Sequence, residues 1–258
     1  MMTLTADSHP PVSRLISPAQ ASEWLTAGWR DMWRQPLLSL GFGAVYAGGG
    51  GMIYLLLSSL EMGSLLFPLV AGFMLVGPLA AVFLYEISRR LEANEPVSFT
   101  LVVGHVMRRG GQIGNLGLIL SMLMMVWMLA GLLIFALFHP PGVPLSLDNF
   151  VVNVVLQPDS PRFLLVGTVV GGAIATIAFA VSVFAMPMLL DRDVGVMEAM
   201  DFSIHAVLLN WRTMIGWAAT IAVVTFFGMG LVFVGLAFTL PLIGHASWHA
   251  YRDAIGQA

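Results

Sequence analysis

The stretch IGNLGLILSMLMMVWMLAGLLIFALF, residues 113–138, contains no Asp, Glu, Lys or Arg and is apolar at almost every position. At about 1.5 Å per residue, a helix of this length reaches about 39 Å, which exceeds the roughly 30 Å hydrocarbon core of a bilayer. Outward along the chain, charged residues are also absent from residues 35–60, 62–85, 110–147, 163–190 and 213–251. Each window is long enough to cross a membrane. The sequence therefore predicts an all-α membrane protein that crosses the bilayer several times.

The composition supports this class and excludes several others. Only 10% of the 258 residues are charged, against about 25% in soluble domains, and 58% are hydrophobic. The chain has no Cys, which excludes disulfides and thiolate ligands, and all 11 basic residues are Arg, which excludes lysine-dependent chemistry. Because the net charge is −3 and the arginines are scattered, we expect no nucleic-acid partner.

The last charge-free window is too long for one span. As a single helix, residues 213–251 would reach about 58 Å, and Gly228, Gly230 and Gly235 loosen its middle. We therefore predict a six-transmembrane-helix bundle, with five spans as the alternative. The predicted spans are residues 37–58, 65–87, 113–138, 163–189, 213–228 and 231–247. They form one integral membrane domain, residues 18–254, which follows a disordered N-terminal tail, residues 1–17.

The distribution of the arginines predicts the orientation. An excess of Arg in short loops marks the cytoplasmic side of a membrane. With six spans, ten of the 11 arginines fall on one side and only Arg162 falls on the other. Five spans would move Arg252 to the opposite side. The distribution therefore favours six spans, with both termini in the cytoplasm.

A threefold pattern runs along the chain. Amphipathic segments with Trp and Arg precede the first and fifth spans, a weaker one precedes the third, and such segments suit the headgroup level. A proline and then a polar exit follow near the inner end of the second, fourth and sixth spans. We interpret this pattern as three copies of one unit, an interfacial helix followed by a helical hairpin. Such copies either enclose a central site or simply pack as a compact bundle. The structural motif of the units comprises Pro78, Pro187, Pro241, Glu86, Arg89, Asp191, Arg192, Trp248 and Tyr251.

Small residues recur at every fourth position in two of the spans. The two rows are Ser39, Gly43, Ala47 and Gly51, and Gly167, Gly171 and Ala175. Rows of this kind let helix backbones approach closely in lipid, so they predict tight packing of these spans.

The segment GHASWHAYRD, residues 244–253, holds the sharpest cluster of candidate ligands. On a helix, His245, His249 and Asp253 share one face at i, i+4 and i+8. Two such histidines can bind a metal with a carboxylate as third or outer ligand, and a haem would take one axial His. The alternative is structural: the imidazoles would cap helix carbonyls or hydrogen-bond Asp191 or Glu86 in the neighbouring copies.

The predicted spans carry no ionisable residue near their centres. Glu86 comes closest, and Arg89 lies one turn after it as an ion-pair partner. This argues against ion-coupled transport, which commonly uses a carboxylate at the membrane midplane. The chain also lacks a nucleophile, nucleotide-binding or metal-hydrolase motif. We therefore expect no enzymatic activity, no catalytic residue and no cofactor, with a metal or haem at the histidines as the alternative.

Several segments together resemble the domain-of-unknown-function 2189 family of bacterial inner-membrane proteins. The segments are GWRD (28–31), AGFMLVGP (71–78), YEISRR (85–90), MPMLLDRD (186–193) and GHASWHAYRD (244–253). The resemblance extends from Trp24 to Asp253 and implies a multi-pass protein of the bacterial inner (plasma) membrane. Some members carry a cytochrome c oxidase label, which implies a respiratory complex as a candidate partner.

Three functions fit these features. The first is a non-enzymatic protein that acts through protein or lipid contacts, for example as an accessory or assembly factor of a membrane complex. The second is a channel or transporter for a small neutral solute at the interface of the units. The third is a metal- or haem-binding protein that uses His245 and His249. The lipid bilayer is a partner in all three, and the sequence leaves the oligomeric state open.

Overall fold

A computed structural model of the chain describes residues 13–138, 160–230 and 233–255. Within these ranges the chain is helical, with one 3-10 turn (Gly63–Leu65) and no strand. The helices are α1 (Gln20–Arg34), α2 (Pro36–Ser59), α3 (Leu66–Ala80), α4 (Val82–Glu92), α5 (Phe99–Arg108), α6 (Gly110–Phe138), α7 (Ser160–Ser182), α8 (Ala185–Asp191), α9 (Val196–Leu209), α10 (Trp211–Gly230) and α11 (Leu236–Ile255).

Five helical segments in the described ranges are long and apolar enough to cross a membrane. They are Pro36–Ser59, Pro68–Glu92, Gly110–Phe138, Ser160–Asp191 and Trp211–Gly230. Each contains most or all of one of the first five predicted spans, so the predicted class of helical membrane protein is confirmed. The sixth predicted span, residues 231–247, is not among them, and its residues 231 and 232 lie outside the described ranges. The long window is nevertheless divided into two helices, because α10 ends at Gly230 and α11 begins at Leu236.

A short helix is followed by a long one at three places in the chain. A single residue separates α1 from α2, α5 from α6 and α9 from α10, and these residues are Gln35, Arg109 and Asn210. The amide of each junction residue still bonds the carbonyl four residues earlier, so each short helix closes its last turn before the chain changes direction.

Two of the spans are interrupted near their prolines. The third helix ends at Ala80, two residues after Pro78, and α4 begins at Val82. The break between α7 and α8 includes Val183, the residue four positions before Pro187, whose ring would clash with that carbonyl in a continuous helix. Pro241 lies inside α11 and does not end it.

The hydroxyl of Ser203 fills the break before Pro187. In a regular helix the amide of Phe184 would bond the carbonyl of Ala180. Instead Ser203 Oγ accepts from the Phe184 amide at 3.2 Å and donates to the Ala180 carbonyl at 2.7 Å. Ser203 belongs to α9 and is fully buried. The bend is therefore stabilised by a side chain inserted into the helical hydrogen-bond ladder.

Helix α11 packs against α1, α2, α4 and α10. A Cβ at Gly28 would lie 2.6 Å from the backbone nitrogen of Ala246, and one at Gly43 would overlap the carbonyl of Ala237. Backbones meet directly at these points, as expected for small residues between membrane helices. Since Gly28 lies opposite Ala246 and Gly43 opposite Ala237, α1 and α2 run antiparallel to α11. The predicted rows of small residues form close contacts only in part, because Gly51 and Gly167 face open space.

The chain just before α1 is attached to the bundle. Asn210 Oδ1 accepts from the Ile16 amide at 2.7 Å, and Asn210 Nδ2 donates to the Arg14 carbonyl at 2.8 Å. Ile16 is buried. The predicted tail covers residues 1–17, of which residues 1–12 lie outside the described ranges.

Candidate functional site

The C-terminal half of α11 is enclosed by protein on nearly all sides. From Gly244 to Ile255 most residues are buried, and His245, Trp248 and Tyr251 are each at most 1% exposed. A helix buried around its whole circumference belongs to the core of a bundle. We call this region of the molecule the polar end, since the ends of α1, α4 and α8 bring most of the charged side chains to it.

A continuous hydrogen-bonded chain joins four helices at the polar end. His249 Nε2 and Ser88 Oγ both donate to Asp31 Oδ2, each at 2.8 Å. The ring of His245 lies between two hydroxyls, with Nδ1 2.8 Å from Ser88 Oγ and Nε2 2.9 Å from Ser39 Oγ. Because the one proton of Ser88 is directed at Asp31, Nδ1 of His245 must donate to Ser88, and its Nε2 accepts from Ser39. Each described polar group of the chain therefore has a partner.

Asp31 is the charged centre of this chain and is 5% exposed. Burial alone would raise its pKa, but the hydrogen bonds from His249 and Ser88 outweigh that effect and hold the pKa below the ordinary value of 3.8. The carboxylate is thus ionised at neutral pH. It connects α1 to α4 and α11.

Glu86 forms a second cluster within α4. Its fully buried carboxylate accepts from Arg89 at 2.8 Å and from Arg90 at 2.6 Å, and His105 Nε2 lies 3.7 Å away. Arg90 is itself nearly buried and also donates to the Pro96 carbonyl at 3.1 Å. Two guanidinium groups therefore neutralise one carboxylate that would otherwise be costly at this depth.

A third set of contacts attaches α11 to the exits of the other spans. Glu92 accepts from Trp248 Nε1 at 2.8 Å and from Arg252 Nε at 3.0 Å, and Asp191 accepts from the Tyr251 hydroxyl at 2.9 Å. Arg192 Nε is 4.0 Å from Asp191. The hydroxyl of Tyr251 thus acts as a donor and connects α11 to the end of α8.

The structure separates the three candidate metal ligands. His245 and His249 share the network of Asp31, whereas Asp253 accepts from Trp24 Nε1 at 2.7 Å and from Gln20 at 3.1 Å. Within the described ranges, no group of three or more His, Asp or Glu side chains is placed to hold a metal ion. His245 hydrogen-bonds to Ser39 and Ser88 and His249 to Asp31, rather than to Asp191 or Glu86, the two side chains considered in the structural alternative.

The hydrogen-bond partners of the two histidines are not predicted from the sequence. Asp31, Ser39 and Ser88 are fully or nearly buried, and each comes from a different helix. Asp31 has a detectable signal, since it shares the face of α1 with Trp24 and Gly28 at helical spacing and is the charged residue on that apolar face. Ser88 has none, because a lone Ser before two arginines is an ordinary helix-end residue.

The opposite half of the bundle has a different character, and we call it the apolar end. A groove of about 380 Å³ opens there between α2, α3, α6, the end of α10 and the start of α11. Its walls are almost wholly apolar and include Tyr46, Gly49, Gly50, Phe73, Met124 and Phe233. This space suits a hydrocarbon or another apolar molecule and offers little to a polar one.

The fold and the site together define a multi-span helical membrane protein whose buried polar groups join its helices at one end. Within this class, residues 66–191 match the model of the family described as a predicted integral membrane protein, DUF2189. The family resemblance found in the sequence is therefore confirmed over that segment, which runs from α3 to the end of α8. Neither a curated protein nor a solved structure matches the chain.

Proposed function

We propose that α11 is a sixth membrane-crossing helix and that the chain consists of three units with both termini in the cytoplasm. Two observations support this topology. Helix α11 runs antiparallel to α1 and α2, with Ala246 beside Gly28 and Ala237 beside Gly43. Its polar second half is shielded by protein, so it need not be apolar to lie in the bundle.

The three short-to-long helix junctions support the three-unit arrangement, because each of them opens one proposed unit. Reporters fused before Met1 and after Ala258 test the topology. Both should report from the cytoplasmic face of the bacterial inner membrane. Reporters on opposite faces would contradict six spans.

We further propose that the protein is non-enzymatic and acts through its contacts with protein or lipid, as an accessory or assembly factor of a membrane complex. The observation that carries this proposal is the pairing at the polar end. Asp31, Glu86, Glu92, Asp191 and Asp253 all accept hydrogen bonds from side chains of the same chain. Among buried side-chain polar atoms of the described residues, Trp217 Nε1 alone lacks a partner. This arrangement holds helices together and engages all five of these carboxylates in structural contacts rather than leaving them free to act as a general base.

Co-migration with a membrane complex tests this role. Membranes solubilised in a mild detergent are separated on a native gel, with the protein followed by a C-terminal tag. We expect a discrete assembly larger than the single chain, with a fixed set of co-migrating subunits that identifies the complex, respiratory or other. A chain that runs alone in several mild detergents would contradict the accessory role.

The apolar groove favours a second candidate, a channel or transporter for a small neutral solute. The supporting observation is the space of about 380 Å³ beside Gly49 and Gly50. Proteoliposomes test it by comparing the flux of small neutral solutes with that of empty vesicles. Gly50→Leu should reduce the flux, since its added side chain meets the ring of Phe233 beside the groove. Flux equal to empty vesicles would contradict this candidate.

Our proposal assigns no metal or haem to His245 and His249. Both ring nitrogens of His245 and Nε2 of His249 are engaged by Ser39, Ser88 and Asp31 at 2.8 to 2.9 Å. Elemental analysis and an absorption spectrum of the purified protein test this assignment. A metal or a haem band that disappears in the double variant His245→Ala/His249→Ala would establish the alternative.

A further inference from the structure

Five arginines of the described chain contact carboxylates within 4.0 Å, namely Arg89, Arg90, Arg109, Arg192 and Arg252. Arg30 and Arg34 of α1 are exposed, and neither contacts a carboxylate within the described ranges. A pair of uncompensated positive charges on one helix face is a surface complementary to an anion.

Two tryptophans share that face of α1. Trp29 and Trp33 are 51% and 48% exposed, and their ring centroids are 5.6 Å apart. The opposite face of α1, with Trp24, Gly28 and Met32, is buried. Burial of that face orients the Trp/Arg face away from the bundle. Exposed Trp and Arg side chains on membrane proteins lie at the level of the lipid headgroups.

An exposed apolar track runs along α2, which begins two residues after Arg34. Its large residues are Leu37, Val45 and Met52, which are 90%, 70% and 72% exposed. Gly41 and Gly48 lie between them at steps of three or four residues, and a Cβ at either glycine would meet nothing within 4 Å. Large and small residues thus alternate along the track.

We propose that this surface binds one anionic phospholipid, with its phosphate at Arg30 and Arg34 and an acyl chain along the track of α2. The charges supply the headgroup selectivity, since an Arg near the surface attracts anionic lipid. The open positions at Gly41 and Gly48 give the acyl chain of the lipid a place to lie. The proposal deepens the proposed function by naming a lipid partner, and it rests on that function in placing α1 at the membrane surface.

Native mass spectrometry of the detergent-solubilised protein, titrated with phosphatidylglycerol or with phosphatidylcholine of the same chains, tests the proposal. The wild type should bind phosphatidylglycerol more tightly. Arg30→Gln/Arg34→Gln should weaken phosphatidylglycerol binding roughly 25-fold, since each Arg contributes about fivefold, and should leave phosphatidylcholine binding unchanged. Gly48→Leu fills the track and should weaken both lipids alike.

The matched control is Arg162→Gln, because Arg162 is also exposed but lies at the start of α7 and away from α1. It should keep the wild-type preference for phosphatidylglycerol. An unchanged preference in the double variant, or an equal loss in the control, would overturn the headgroup site. Unchanged binding of both lipids in Gly48→Leu would overturn the track.

Thermal unfolding confirms that each variant is folded. Loss of lipid binding with intact co-migration on the native gel would separate this proposal from the accessory role.

Discussion

The two ends of α11 make opposite kinds of contact with the rest of the bundle. At the polar end its side chains are buried and joined to α1, α2, α4 and α8 by directed hydrogen bonds through His245, His249, Trp248 and Tyr251. At the apolar end it meets α2 through glycine contacts and borders an apolar groove. Directed bonds between unlike groups permit few alternative arrangements, whereas apolar packing permits many. The comparison indicates that the polar end specifies which helices pair and that the apolar end can adapt to what surrounds it.

The largest loss of stability is expected from a change at the polar end, at Glu86. Glu86→Gln leaves the nearly buried Arg90 with only the half-exposed Glu95 as a countercharge, and breaking a buried pair costs roughly 3–5 kcal/mol. We expect a large fall in the midpoint of thermal unfolding in detergent. Glu95→Gln is the matched control, because Glu95 contacts the same two arginines but is 40% exposed. A loss in Glu95→Gln as large as that in Glu86→Gln would contradict the role of burial.

Gly28→Ala tests the direct backbone contact between α1 and α11. The new Cβ would lie 2.6 Å from the Ala246 nitrogen and 2.9 Å from the Leu242 carbonyl, and neither backbone atom can move alone. Overpacking of this kind typically costs about 1–3 kcal/mol. Gly41→Ala meets nothing within 4 Å and should leave the protein as stable or slightly more stable. Equal unfolding midpoints for the two variants would show that the helices are not in close contact at Gly28.

Ser203→Ala tests the hydroxyl inserted between α7 and α8. The change leaves the Phe184 amide and the Ala180 carbonyl without their bridging partner, and an unsatisfied buried group costs about 1–3 kcal/mol. Thr176→Ala is a suitable comparison, since its hydroxyl bonds a carbonyl of its own helix at an exposed position. We expect chemical denaturation to show a clear loss for Ser203→Ala and little change for Thr176→Ala. The reverse order would mean that the bend is stable without the hydroxyl.

The smallest effect is the acid dependence of stability at Asp31. Its pKa is lower in the folded protein than the ordinary 3.8, so the ionised form stabilises the fold above that pH. As the pH falls below 3.8 and through the folded pKa, the carboxylate gains a proton and this contribution disappears. The difference in unfolding midpoint between the wild type and Asp31→Asn should be constant from pH 7 to about 4 and should shrink below that. A difference that persists unchanged at pH 3 would show that the charge of Asp31 is not involved.

The sequence predicts the helices of this protein well because each span is a long run without charged residues. The break near Gly230 and the interruption near Pro187 also have local causes that can be read from single residues. The ends of the predicted spans differ from the observed helices by a few residues, since short helices such as α4 and α8 continue spans across their bends.

The pairing at the polar end could not be predicted in the same way. The exits containing Glu86, Asp191 and Tyr251 were expected to lie near each other, but the partner of each side chain depends on how helices are rotated about their axes. Asp31 and His249 are 218 residues apart in the chain, and Ser39 and His245 are 206 apart. Ser88 and His245 are 157 apart. No local pattern encodes contacts over such separations. The glycines indicate how closely two helices approach, but they do not indicate how each helix is rotated about its axis.

The enclosed position of α11 has a consequence for how the protein is made. Helix α11 is translated after the ten other described helices, so the slot beside Gly28 and Gly43 stays vacant until α11 has been made. Until then the nascent bundle presents an ionised aspartate and two serine hydroxyls with no imidazole to meet them. Such an immature form is a natural substrate for insertion chaperones and quality-control proteases, and cellular abundance should depend on how promptly the slot is filled.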